Sequence, residues 1–348
     1  MPAAVFKRYA SGINPDKMTN PSMPLFCCND KKNKSVILQN NMKIDIEKKT
    51  AFTGHKGSVY TIETGAQQHI LFSGSSDRVI AAWDLNAMTG LDFTAQLPAI
   101  IYALCYVPEK NLLFAGTSAG QIHILDLNQM KEIKILKHHT GPIFSIRYSL
   151  QTNCFYSTGG DGVFAIGSLE NLSVLKIKKL CTEKVRSVDF NYSTSEIAVA
   201  SGDCHIRIFD LDSLEEKTTI LAHGLSANIA RYSPDGKQLL TGGRDAHLNI
   251  WETSGYKKLA GIPAHNYAIY DIAFSPNGRL FATASRDKTL KIWDASNFEL
   301  LKRINKEAFD GHLNSVNKLI WSTFNDYLIS TGDDRAIIVW QITESQEL

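Results

Sequence analysis

One pattern in this chain starts again 42 residues after it first appears. "GKQLLTGGRDAHLNIWETSG" at 236–255 and "GRLFATASRDKTLKIWDASN" at 278–297 place Thr241, Asp245 and Trp251 at the offsets of Thr283, Asp287 and Trp293. Aligned on that last aromatic, the chain gives Trp83, Leu125, Gly167, Phe209, Trp251, Trp293 and Trp340, with successive spacings of 42, 42, 42, 42, 42 and 47. Six residues before each stands Asp77, Ala119, Asp161, Asp203, Asp245, Asp287 or Asp334. At 28 residues before each stands His55, Leu97, His139, Cys181, His223, His265 or His312, so the five extra residues fall between Trp293 and His312. Seven copies of one unit specify an array in which each unit buries its apolar face against its neighbours.

Within a unit the apolar runs are short and bounded by turn residues, as in "SVYTIET", "ILFSGSS" and "VIAAWDL". Runs of this length, rich in Val, Ile, Phe and Tyr and lacking a long 3.6-residue period, read as β-strands. "SPDG" at 233–236 and "SPNG" at 275–278 supply the Pro and Gly of tight turns between them. Four strands per unit is the natural count, and the fold class is all-β.

With these units in register, the chain resembles the WD-repeat β-propeller family. Gly54-His55 and Gly311-His312 are literal Gly-His pairs, Trp83-Asp84 and Trp293-Asp294 are literal Trp-Asp pairs, and the resemblance spans residues 42–342. It implies a seven-bladed propeller of four-stranded antiparallel blades. Only "QITESQEL" follows Trp340, whereas "MKIDIEKKTAF" at 42–52 alternates like a strand yet has no blade of its own. An open sheet edge invites pairing with other chains, so this N-terminal strand is expected to close the ring as the outer strand of blade seven. The expected organisation is a flexible tail over 1–41, rich in Pro, Asn and Lys, and a propeller over 42–348.

His, Ser or Thr, and Asp together suggest a nucleophilic triad, but their repetition points elsewhere. The sets His55, Ser73, Asp77 and Trp83; His223, Thr241, Asp245 and Trp251; His265, Thr283, Asp287 and Trp293; and His312, Ser330, Asp334 and Trp340 recur at one offset. A catalyst needs one such site, and an array needs one per unit. The family resemblance implies a buried hydrogen-bond chain from Trp through Ser/Thr and His to Asp. Unit two has Leu97, Ala115, Ala119 and Leu125, so its polar members are all replaced together. Unit four keeps only Asp203, beside Cys181, Val199 and Phe209, and unit three has Gly167 in place of Trp.

Fold alone does not specify what a propeller binds. Five residues after the His position stand Tyr60, Tyr102, Phe144, Arg186, Asn228, Tyr270 and Asn317. Arg244 and Arg286 precede two of the turn aspartates. The family resemblance places these positions on the loop face that commonly takes peptides. Tyr60, Tyr102, Phe144, Arg186, Arg244, Tyr270 and Arg286 are therefore the candidate protein-binding residues, since Tyr, Phe and Arg are enriched at hot spots. The three arginines form an arc suited to an acidic or phosphorylated segment. The reading is a non-catalytic scaffold, a single propeller within a larger complex. The alternative is a nucleic-acid-associated module using the Arg186/Arg244/Arg286 arc, and a channel-centred enzyme ranks below both. Charge argues against nucleic acid and membrane, because 37 Lys plus Arg balance 35 Asp plus Glu. No Cys/His spacing suits zinc and no phosphate-binding glycine loop is present, so neither metal nor cofactor is expected. No secretory leader or apolar span stands out, which makes the cytoplasm the expected compartment.

Overall fold

The computed structural model describes residues 5–8 and 43–345, which form seven antiparallel sheets, six of four strands and one of five. The inner strands are Val59–Thr64, Ile101–Val107, Ile143–Ser149, Val185–Asn191, Ala227–Tyr232, Ile269–Phe274 and Val316–Trp321. Each packs against the next, and the seventh packs against the first, so the ring is closed around a central channel. The chain is thus a seven-bladed propeller, with the seven units that the 42-residue period counts and the architecture that the family resemblance implies.

The core lies between blades. Seven apolar clusters occur, each assembled from two adjacent blades. At the junction of blades 7 and 1, for example, Ile62, Leu71 and Trp83 pack on Tyr327, Ile329, Ile337 and Val339. Each sheet has two faces and each face needs a neighbour, which is why no blade is self-sufficient.

Two N-terminal strands complete the sheets. β1 spans Val5–Arg8 and β2 spans Lys43–Phe52. β2 pairs antiparallel with Ile337–Ser345, from Lys43 opposite Ser345 to Phe52 opposite Ile337, and so forms the outer strand of blade 7 as expected. β1 was not anticipated. In blade 1, which runs outward through β3 (Val59–Thr64), β4 (Ile70–Ser75), β5 (Val79–Asp84) and β6 (Thr89–Gln96), β1 adds a fifth strand alongside β6. A four-residue strand held by backbone pairing leaves no repeat signature, so composition alone suggested a tail. The remainder of the expected tail lies outside the described residues.

The five extra residues form the loop between blades 6 and 7, which contains a short helix at Lys306–Phe309 capped by the Asn305 side chain. Asp310 at its end accepts a hydrogen bond from Lys48 Nζ at 2.6 Å, tying the loop to the closing strand.

These pairings predict how truncation acts. Deleting residues 1–41 should leave thermal unfolding nearly unchanged, because a single short edge strand adds little stability. Deleting 1–52 strips the outer strand from blade 7 and should give aggregation or a large drop in melting temperature. Equal behaviour of the two truncations in a thermal melt with light scattering would contradict this closure.

Candidate functional site

The loop face is shaped by buried polar relays. In blade 1 the Trp83 indole N–H donates to Ser73 Oγ at 2.8 Å, Ser73 lies 2.7 Å from His55 Nε2, and His55 Nδ1 lies 2.9 Å from Asp77. The same chain joins Trp251, Thr241, His223 and Asp245 in blade 5; Trp293, Thr283, His265 and Asp287 in blade 6; and Trp340, Ser330, His312 and Asp334 in blade 7. Each relay has a single direction, because indole can only donate and carboxylate can only accept. Ser73, Thr241, Thr283 and Ser330 are fully buried, so every link must be made.

The aspartate does two further things. Its carboxylate accepts the backbone N–H just after the His, as from Lys56, Gly224, Asn266 and Leu313. It also accepts the N–H two residues ahead in its own turn, as from Val79 and Thr289. The residue after each of the seven turn positions is left-handed: Arg78, Gly120, Gly162, Cys204, Ala246, Lys288 and Arg335. Turn and His loop are thereby clamped together. Burial alone would raise the carboxyl of Asp245, but the hydrogen bond and charge of His223, with the Gly224 and His247 amides, bring it down to about 2.

Blades 2 to 4 solve the same problem differently. In blade 2, Leu97, Ala115 and Leu125 are buried in one apolar cluster, leaving no donor unpaired. In blade 3 the ring of Phe155 fills the space over Gly167, where a Cβ would meet Phe155 Cζ at 2.0 Å. The missing indole donor is replaced by a second histidine. His138 Nε2 and His139 Nε2 each lie 2.9 Å from Ser157 Oγ, and His139 Nδ1 lies 3.0 Å from Asp161. In blade 4 Arg207 compensates for the lost His: its guanidinium reaches Asp203 at 2.5 and 3.2 Å and Ser201 Oγ at 2.9 Å. Asp203 therefore does not stand alone, and neither substitute lies at the aligned positions.

All seven residues five places after the His line one end of the channel, in a cavity of about 660 Å³. Tyr60 and Tyr102 rings lie 4.8 Å apart, Tyr102 and Phe144 lie 5.7 Å apart, and the Arg186 guanidinium sits 5.0 Å from the Phe144 centroid. These four form a continuous row of tilted, touching groups across blades 1 to 4. Asn228 and Asn317 instead donate across blade junctions to the carbonyls of Ile269 and Val59, at 3.0 and 3.1 Å. Tyr270 lines the same mouth. Arg244 and Arg286 do not line the cavity and are exposed on turns beside it. Arg186 Nε is buried and has no hydrogen-bond partner among the described residues. Burial pushes its guanidinium below the usual value, and the charge of Arg244 pushes the same way.

Deeper in the channel runs a belt of charge that the sequence reading missed. Lys318 lies 3.0 Å from Asp271, which is 3.4 Å from Arg231; Arg231 is 3.0 Å from Asp189, which is 3.7 Å from Arg147. Signs alternate from blade 7 back to blade 3. Glu63 of blade 1 faces the same space, its carboxyl raised by burial against the pull of Arg147. The available signal was charge at positions six and eight after the His, between apolar residues of the inner strand. Among the described residues no group of three His, Cys, Asp or Glu side chains could hold a metal ion.

Two outcomes follow from the relays. Asp245→Ala should destabilise by about 1 to 3 kcal/mol, read by denaturant unfolding, because it strips partners from buried donors. The second concerns acid. Burial holds His138 down at about 4, with His139 adding to the shift, whereas an unfolded histidine titrates near ~6.5. Below about pH 6.5 the unfolded chain binds a proton that the folded chain refuses, so stability falls from there towards pH 4 and is fully present above pH 6.5. His138→Gln, which keeps a donor for Ser157, should flatten that slope in melts at pH 7.5 and 5; an unchanged slope would remove His138 from the account.

Among described residues no helix is long and apolar enough to cross a membrane. Among curated proteins none matches the chain. The family model for the WD domain, G-beta repeat, matches residues 46–84, 174–210, 215–252, 256–294 and 303–341, more than half of the sequence. Each match begins in, or within two residues of, the outer strand of one blade and ends in the third strand of the next, so the sequence repeat is offset by one strand from the structural one. The unmatched stretch holds blade 2 and most of blade 3, where Leu125 and Gly167 replace the tryptophan. Five matched repeats within a closed ring of seven blades place this chain in the WD40 repeat family.

Proposed function

We propose that this propeller is a non-catalytic scaffold that holds an acidic or phosphorylated protein segment across the mouth formed by Tyr60, Tyr102, Phe144, Arg186 and Tyr270, with Arg244 and Arg286 at its rim. WD40 propellers in general serve protein interaction. The observation that carries the finer reading is Arg186, whose buried Nε lacks an acceptor. A guanidinium held against an aromatic face, without a carboxylate partner, is preorganised for an incoming anionic oxygen. The neighbouring rings of Tyr60, Tyr102 and Phe144 offer rigid, amphipathic contact area beside it. On this reading residues 42–348 act as one cytoplasmic module, a single copy within a larger complex.

The triple change Arg186→Ala, Arg244→Ala, Arg286→Ala tests it against an array of acidic and phosphorylated peptides. Hot-spot truncations cost about 2 kcal/mol or more each, and every ~1.4 kcal/mol is tenfold in affinity. Loss of at least a hundredfold is expected with an unchanged melting temperature, and Tyr102→Ala should cost less. Equal capture by wild type and the folded triple variant would return these arginines to a solvated rim. Binding of single-stranded nucleic acid with a steep salt dependence, lost in the same variant, would favour a nucleic-acid role instead.

A further inference from the structure

Outer strands of propeller blades are sheet edges, and edges are ordinarily guarded by charge, especially Lys, or by Pro. Five outer strands here follow that rule within their own sequences: "KEIKILK" (131–137), "SVLKIKK" (173–179), "EKTTIL" (216–221), "KLAGIP" (258–263) and "LLKRI" (300–304). The closing strand β2, "KIDIEKKTAF", carries Lys43, Lys48 and Lys49. β6, "TGLDFTAQ", stands apart: it has no Lys, Arg or Pro, and its single charge is Asp92. Among the described residues it is also the one outer edge that bears an additional strand. β1 pairs antiparallel with it, Val5 opposite Gln96, Phe6 opposite Ala95, Lys7 opposite Thr94 and Arg8 opposite Phe93.

Two independent observations, an unguarded sequence and an occupied edge, therefore fall on the same strand. We infer that the outer edge of blade 1, whose single charge is Asp92, is a strand-addition site, filled by the chain's own residues 5–8 with Lys7 and Arg8 in their sequence and open to an extended, basic segment of a partner when those residues leave. Recognition by strand addition runs through backbone hydrogen bonds, so a foreign segment needs an extended backbone more than a particular sequence. β1 is suited to being displaced. Among the described residues it spans four and pairs with β6 alone, and 34 residues of sequence, Tyr9 to Met42, separate it from β2. Its advantage over a competitor is that of a tethered ligand, which an untethered strand overcomes by concentration or by a longer register. The site lies on the outer circumference of the ring, apart from the channel mouth, so it stands or falls separately from the peptide-binding reading above.

The test uses the full chain and a fluorescent peptide of residues 1–12, MPAAVFKRYASG. Alternate residues of a strand turn their N–H towards the neighbour, so changing both Phe6→Pro and Lys7→Pro deletes at least one pairing bond whichever way the register faces. In the chain carrying that double change the edge is vacated. By anisotropy, the wild-type peptide should bind this variant, and should bind the wild-type chain roughly tenfold or more weakly because the tethered strand competes. The doubly substituted peptide should bind neither. Amide exchange at Phe93–Gln96 should be slow in the wild-type chain, faster in the variant, and slowed again by the peptide. Equal peptide binding to both chains, no binding at millimolar peptide, or equal binding of the substituted peptide would overturn the inference. So would exchange in the wild-type chain as fast as that of the bare outer strands, a measurement that does not depend on how the variant folds.

Discussion

Everything in this ring depends on the antiparallel pairing of Lys43–Phe52 with Ile337–Ser345. Each apolar cluster is shared by two blades, so a break anywhere exposes both faces of the junction. With the first and last parts of the propeller sewn into one sheet, the junction of blades 7 and 1 becomes equivalent to the other six, and Phe52 stacks on Trp83 across it with ring centroids 5.2 Å apart. Closure is also what makes the channel a defined space, because seven inner strands can converge only if none of them is an end.

Within each blade, the relay from Trp to Asp turns a packing problem into a positioning device. The carboxylate that ends the relay also fixes the loop carrying the His, and five residues further along that loop leads into the residue that lines the mouth. Blades 2, 3 and 4 show that the requirement is satisfaction rather than identity. An all-apolar set, a second histidine and an arginine fork each leave the Ser and Asp of the relay paired or absent, although the second histidine brings in a buried Nδ1 that has no partner among the described residues. The rings of Tyr102 and Phe144 and the guanidinium of Arg186 come from these three altered blades. The candidate site is therefore concentrated where the repeat departs most from its own pattern.

The channel separates two electrostatic environments. At the mouth, Arg186 is cationic, desolvated and short of an acceptor. At the waist, the five linked groups from Lys318 to Arg147 alternate in sign, so the belt is largely self-neutralised and its charges are bound to one another across blades. Fixed charges that satisfy each other stitch blades together, whereas a fixed charge without a partner is available to a ligand. That difference is why the functional reading rests on Arg186 rather than on the more numerous charges below it.

The sequence by itself determined the number of repeats and the recurring residues of the four complete sets through spacing at a fixed period, the four strands through short apolar runs, and the closing role of Lys43–Phe52 through a strand left outside the units, while the linking of those sets into relays came with the family resemblance. It also brought the His-plus-five residues to one mouth, since a constant offset in a ring puts equivalent residues on the same rim. What only the tertiary structure decided lies off that period. His138 and Arg207 enter their relays from positions the alignment does not compare. The charge belt draws on two different offsets, and its pairs join residues 40 to 47 positions apart in adjacent blades. Arg244 and Arg286, by contrast, are exposed beside the mouth, as expected of side chains at a rim. β1 is the extreme case: backbone pairing at a sheet edge is indifferent to side-chain pattern, so four residues could join blade 1 without leaving any trace in the repeat.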